Sequence, residues 1–202
     1  MPLLFETIKV LDGKLIDIGY HNDRLNGSRE ILFGINQIVF LEEIIKVPQE
    51  YSSGLVKCKI VYDVSIKGIS FARYIAKPVN RLIVVECDSI DYGYKYSDRS
   101  KLDELLQNAN CAYDEDILIV KNGLVTDTSY SNVALYDGTD WITPAHPLLA
   151  GTKRAKLLDS GLIRAGEIKA ADLKYFEKIK LFNAMLDFDE APSLEISQIN
   201  QF

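Results

Sequence analysis

Asn122-Gly123 lies between two segments of β character, residues 116–121 and 124–126. Asn-Gly readily accepts two successive positive φ angles, which is what a two-residue loop between antiparallel strands requires. Asp12-Gly13 has the same character between residues 3–10 and 14–18. Both halves of the chain are therefore expected to be built on tight hairpins and antiparallel sheet.

Between the hairpins the pattern alternates. Asn22 or Asp23 can cap a helix carrying Leu25, Ile31 and Leu32 and ending at Gly34, and a short helix is expected over residues 41–45. Residues 55–62, 69–76 and 81–87, rich in Val, Ile, Tyr and Phe, read as strands. Residues 88–94 lose the apolar period and fill with Asp, Ser, Gly and Tyr, which marks a linker. The expected division is 1–87 as a small N-terminal α+β domain, 88–94 as linker and 95–202 as a larger C-terminal domain. The latter reads as helix 98–108, strands 116–121, 124–126, 132–136 and 140–143, and helix 152–160 stopping at Gly161.

With 202 residues, 48% hydrophobic, and a formal charge of -6, the chain can build a sizeable core and lacks the basic surplus of a nucleic-acid surface. No apolar run approaches the roughly 18 residues that span a bilayer, and the first six residues do not resemble a signal peptide. A cytoplasmic protein is expected. Cys58, Cys87 and Cys111, odd in number and widely spaced, read as buried thiols rather than as disulfides or a zinc site.

Several residues carry two readings. Gly151-Thr152-Lys153-Arg154 is either an ordinary loop-to-helix junction or a helix start whose N-H groups face an anion. Asp127 is either an Asx turn or a carboxylate set against a heterocyclic nitrogen. Lys95, between Tyr94 and Tyr96, is either a solvated surface amine or a desolvated one suited to bonding an aldehyde. Arg24 is a helix flank or a fork for phosphate. Tyr74, between Ala72 and Ala76, is a core ring or a ligand neighbour, and Asn183 a structural or a ligand-binding amide. His21 reads as packed or capping.

Taken in order, these pieces resemble the class IV aminotransferase family, the fold-type IV pyridoxal-phosphate enzymes. The resemblance rests on Leu4-Phe5-Glu6-Thr7 with Asp12-Gly13, His21-Asn22-Asp23-Arg24-Leu25, Lys95 before Asp98-Arg99, and Asn122-Gly123 with Thr126-Asp127 and Ser131-Asn132. It continues through Thr143-Pro144, Gly151-Thr152-Lys153-Arg154 and Asn183-Ala184-Met185. It implies a two-domain α+β fold, a small α+β sandwich domain and a larger pseudo-barrel domain, with pyridoxal 5'-phosphate between them in a homodimer. It also implies that Lys95 is the Schiff-base lysine and proton shuttle. Arg24, the backbone of Thr152 and Lys153, and Asn183 would hold the phosphate; Asp127 would face the pyridine nitrogen; Thr128, Ser129 and their neighbours to Ser131 would line that loop. Tyr74 would lie near the cofactor, a place for which Phe71 competes. The chain departs from the family in having Asp127 where glutamate is usual, and part of the small domain, at its first β-hairpin, is expected to be missing or replaced.

The activity implied is that of a lyase converting 4-amino-4-deoxychorismate to 4-aminobenzoate and pyruvate. The alternative within the family is an aminotransferase for a small amino acid and a 2-oxo acid, and a third reading is a catalytically degenerate binding protein. Each takes a small anionic, amino-acid-like partner, with no nucleic acid and no membrane.

Overall fold

The computed structural model describes residues 1–200. Met1–Ile75 together with Tyr94–Asp98 form one compact unit. It contains β1 (Leu4–Leu11), β2 (Lys14–Leu15), α1 (Ile18–Phe33), α2 (Leu41–Ile44), β3 (Leu55–Tyr62) and β4 (Ile66–Arg73). The strands form an antiparallel sheet in the order β2-β1-β3-β4. In β3 the alternation is complete, with Val56, Cys58, Ile60 and Tyr62 buried and the intervening residues half exposed. That face packs with Leu4, Ile8 and Val10 of β1 and Leu25 of α1. Asp12 and Gly13 take φ 47° and 77°, as the hairpin requires.

Three details of this unit differ from expectation. Helix α1 starts at Ile18 rather than after Asn22 or Asp23, because Asn22 is turned inward: its Oδ1 accepts from Leu41 N at 2.9 Å and its Nδ2 donates to Glu42 at 2.8 Å. Ile31 is exposed on α1 rather than part of its apolar stripe. Strand β4 ends at Arg73, so Tyr74 lies beyond it and does not alternate with Ala72 and Ala76 on a strand.

The second unit comprises Ala76–Gly93 and the chain from Arg99 onward. It contains β5 (Arg81–Glu86), α3 (Ser100–Asn108), β6 (Glu115–Lys121), β7 (Leu124–Thr128), β8 (Asn132–Tyr136), β9 (Trp141–Pro144) and α4 (Thr152–Asp159). β10 (Arg164–Gly166), β11 (Lys178–Phe182), β12 (Ser193–Glu195) and β13 (Ile199–Asn200) complete it. All nine strands join one mixed sheet, ordered β10-β9-β8-β7-β6-β5-β13 with β11 on β8 and β12 on β11. Leu82, Val84, Leu118, Val120, Val125, Val133 and Leu135 centre its core, each such side chain contributing roughly 1.5–3 kcal/mol by burial.

Strand pairing shifts the division drawn from composition. β5, expected in the N-terminal domain, runs parallel to β6 from Arg81↔Glu115 to Glu86↔Val120 and so belongs to the second unit. Residues 94–98, expected to straddle the linker and the C-terminal domain, return to the first: Phe5 N donates to Lys95 O at 2.9 Å and Ser97 N to Leu3 O at 2.8 Å. Backbone hydrogen bonds, not local polarity, decide both placements.

Among the described residues no helix is long and apolar enough to cross a membrane, and no group of three or more His, Cys, Asp or Glu side chains is placed to hold a metal. Cys58 is buried, and burial pushes its thiol up to about 12; Cys87 and Cys111 are half-buried rather than buried.

Candidate functional site

Asp127 stands near the end of β7 and is 4% exposed. Its Oδ1 accepts from Asn132 Nδ2 at 2.8 Å, and its Oδ2 from Leu149 N at 2.9 Å. Asn132 Nδ2 also donates to Leu149 O at 2.9 Å. The carboxyl thus ties β7, the start of β8 and the loop before α4 together, which is a longer-range arrangement than an Asx turn. Burial pushes Asp127 up to about 6, against the hydrogen bonds from Leu149 and Asn132 and the charge of Arg154. A carboxylate has about four lone-pair sites, so two internal donors do not exhaust it.

The same clasp explains Gly151. A Cβ there would lie 1.9 Å from Asn132 Oδ1, so only glycine lets the start of α4 come this close. The N-H groups of a helix's first turn have no acceptor within the helix, and with its dipole they favour an anion. Thr152 and Lys153 supply that turn, both buried. The Lys153 ammonium is itself committed, with Nζ 2.8 Å from Asp187 Oδ1, so its amide rather than its side chain suits a ligand.

The loop after Asp127 is equally ordered. Thr128 N donates to Ser131 O at 2.9 Å, and Thr128 Oγ1 accepts from Ser131 N at 3.1 Å. Ser129 Oγ turns to Asp116 Oδ1 at 2.5 Å, while Ser129 O accepts from Arg99 Nη2 at 2.8 Å. Arg99 lies 4.1 Å from the Tyr130 ring centroid, a cation–π contact. Asn183, just past β11, donates from Nδ2 to Ser131 Oγ at 3.1 Å and accepts from Met185 N at 2.9 Å. Two hydrogen-bonded groups thus lie along this segment, Asp127 with Asn132 and Leu149 just ahead of α4, and Thr128 with Ser131 and Asn183, while Ser129 turns to Asp116.

The other expected residues lie in the first unit. Arg24, on α1, donates from Nε to Glu6 Oε1 at 2.8 Å and from Nη2 to Oε2 at 2.5 Å. His21 Nδ1 is 2.6 Å from the same Oε2, which makes it a partner of Glu6 rather than a cap. Lys95 Nζ lies 4.7 Å from the Phe5 ring centroid. Tyr74 is half-buried past β4, its N-H donating to Leu55 O at 3.1 Å, and burial raises its hydroxyl; Phe71 instead stacks on Tyr51 at 5.8 Å.

Four contributors carry no role in the sequence reading: Glu6, Asn132, Asp116 and Asp187. Only Glu6 leaves a signal there, as a charge at a core-facing position in the alternation of β1, between buried Leu4 and Ile8. Asn132 joins Asp127, 5 residues away, to Leu149, 17 away, and Asp116 and Asp187 are defined by partners 13 and 34 residues away.

Residues 3–188 match the amino-transferase class IV family. The chain belongs to that family. An uncharacterized protein of Haemophilus influenzae is 37% identical to this class IV aminotransferase family member over 185 residues, 90% of this chain and 97% of the relative. The crystal structure of a "putative 4-amino-4-deoxychorismate lyase" from Haemophilus somnus is 36% identical, with a TM-score of 0.84, over 92% of this chain and 97% of the other. A "putative aminodeoxychorismate lyase" of Schizosaccharomyces pombe is 26% identical over 90% of this chain and 85% of its own length. Class IV aminotransferases are pyridoxal-phosphate enzymes, and so is this chain. The residues fit the cofactor: a buried carboxyl with acceptor capacity, and a glycine-led helix start with no room for a Cβ.

Proposed function

We propose that the chain is a pyridoxal-phosphate-dependent lyase that converts 4-amino-4-deoxychorismate into 4-aminobenzoate and pyruvate. The observation that carries this reading is the 36% identity, over 92% and 97% of the two chains, to the Haemophilus somnus protein of that name. On this reading the chain is a cytoplasmic homodimer that serves folate synthesis.

Bound pyridoxal phosphate supplies an aldehyde for the substrate's amine and an electron-withdrawing ring. The protein's own residues do the rest. Lys95 Nζ would be the amine that meets the cofactor's aldehyde and the base that takes the proton from the substrate carbon bearing nitrogen. Breaking the ring carbon–oxygen bond of the enolpyruvyl ether would release enolpyruvate, which takes up a proton at its methylene carbon to become pyruvate, and would leave the aromatic ring of 4-aminobenzoate. Arg24, the amides of Thr152 and Lys153, and the Asn183 side chain hold the phosphate, whose charge suits both a guanidinium fork and a helix start. Asp127 would face the ring nitrogen and favour its protonated form. Its carboxyl is shorter than glutamate's by one carbon-carbon bond, roughly 1.5 Å, and the Asn132 and Leu149 donors fix where it stands. Thr128 and Ser129 keep the adjoining loop in shape through Ser131 and Asp116.

The deciding assay supplies 4-amino-4-deoxychorismate to the pyridoxal-phosphate-loaded protein and measures 4-aminobenzoate and pyruvate. Equal release of both is expected. No 4-aminobenzoate, beside steady amino transfer to pyruvate or 2-oxoglutarate, would replace the lyase with an aminotransferase.

A further inference from the structure

Glu6 occupies a place on β1 where an apolar side chain would pack without desolvating a charge. Its carboxylate is fully buried and takes three hydrogen bonds, two from Arg24 and one from His21. Replacing a buried ion pair with apolar residues of equal volume is often neutral or stabilising, so stability alone gives this cluster little purpose. Its geometry suggests another. His21 and Arg24 are three residues apart on α1 and so share a helix face, the one that meets Glu6. Of the three side chains Arg24 reaches furthest towards solvent, at 14% exposed, while Glu6 and His21 are at 0% and 1%. Two N-H···O contacts to one carboxylate fix both the position and the plane of a guanidinium. A guanidinium already held in one plane loses less freedom when it grips a ligand.

We propose that Glu6, braced by His21, is a positioning residue that presets the Arg24 guanidinium for the phosphate of pyridoxal phosphate. The proposal rests on the assignment of Arg24 to the phosphate made above, but not on the lyase activity. Neither Glu6 nor His21 needs to touch the cofactor.

The test compares dissociation constants of the apo protein for pyridoxal phosphate and for pyridoxal, which lacks the phosphate, each followed by absorbance. Their ratio isolates the grip on phosphate from every effect on the aldehyde end or on the fold at large. Glu6→Gln is expected to weaken pyridoxal phosphate by about tenfold or more, as loss of a partner behind a ligand-holding side chain commonly does. Pyridoxal binding should stay within about twofold, since that ligand never meets Arg24. Arg24→Ala should collapse the ratio at least as far, and the double variant should fall no further than Arg24→Ala alone. A ratio that drops in Arg24→Ala but holds in Glu6→Gln overturns the positioning role and spares the phosphate assignment. A ratio unchanged in Arg24→Ala removes both. If Glu6→Gln fails to show a cooperative melt, His21→Asn carries the test, because it keeps the carboxylate while removing its brace. There a several-fold loss of the ratio is expected, and an unchanged ratio counts against the proposal.

Discussion

Asp127 and Glu6 are both buried carboxyl groups, and their surroundings drive them in opposite directions. Burial alone would raise Glu6, but the Arg24 charge and the hydrogen bonds from His21 and Arg24 outweigh it and hold the group at about 2. At Asp127 burial wins, and the group rises to about 6. The signs of their effects on stability follow. Ionised Glu6 favours the fold in full above its ordinary value of 4.5, and that pH-dependent contribution fades as pH falls toward 2. Asp127 is proton-rich in the folded state between its ordinary 3.8 and about 6, so its ionisation costs stability as pH rises through that window. Urea unfolding of the apo protein should therefore show Asp127→Ala gaining about 2–3 kcal/mol on the wild type between pH 4 and pH 7. A constant difference across that range would mean that Asp127 titrates normally. Glycine at 151 faces a steric test instead. Gly151→Ala must displace Asn132 from Asp127, so a loss of about 1–3 kcal/mol is expected by denaturant unfolding, together with weaker pyridoxal-phosphate binding. Lys95→Ala should lower turnover by at least about 10³-fold and abolish the visible band of the bound cofactor. A coloured, active variant would remove Lys95 from its role.

The elements fall into two groups by how they are encoded. Hairpins at Asp12-Gly13 and Asn122-Gly123, the stop of α1 at Gly34 and the stop of α4 at Gly161 are legible because single residue types set a positive φ there. Gly123 takes φ 75°, and a methyl group added to it would meet nothing within 4 Å, so Gly123→Ala isolates the backbone cost: about 1 kcal/mol lost in thermal or urea unfolding, with cofactor affinity unchanged. Strand β3 is legible to the residue from its alternation. β11 escapes the sequence reading although Ile179 and Leu181 alternate with Lys178 and Lys180, because the adjoining Leu181-Phe182-Asn183-Ala184-Met185 reads as one interrupted apolar stretch. β12 and β13, three and two residues long, are too short to carry a period and exist through their partners. The candidate site divides the same way. Asp127, Gly151 and Asn183 can be picked out by residue type and order, whereas the Asn132–Leu149 clasp and the Glu6–His21–Arg24 cluster need distances across 15 or more residues.

For the molecule as a whole, ligand binding and folding share one balance. Pyridoxal phosphate at a hundred times its dissociation constant should stabilise the native state by about 2.7 kcal/mol, raising the melting temperature by roughly 5–10 °C for a chain of this size. Calorimetry with and without the cofactor measures it, and Lys95→Ala should shrink the shift. No shift at saturating cofactor would argue against binding altogether. The division of the chain has a further effect. The first unit is discontinuous, since its N-terminal segment closes at Ile75 but its last piece, Tyr94–Asp98, follows β5. Leu3 and Phe5 leave the ribosome early, whereas Lys95 and Ser97, their backbone partners, emerge some 90 residues later. At 5–20 residues per second that is a wait of roughly 5–20 s. The start of β1 must pass that interval without its final neighbour, and a gene fragment that stops short of codon 95 would encode a first unit that lacks the lysine on which the proposed chemistry depends.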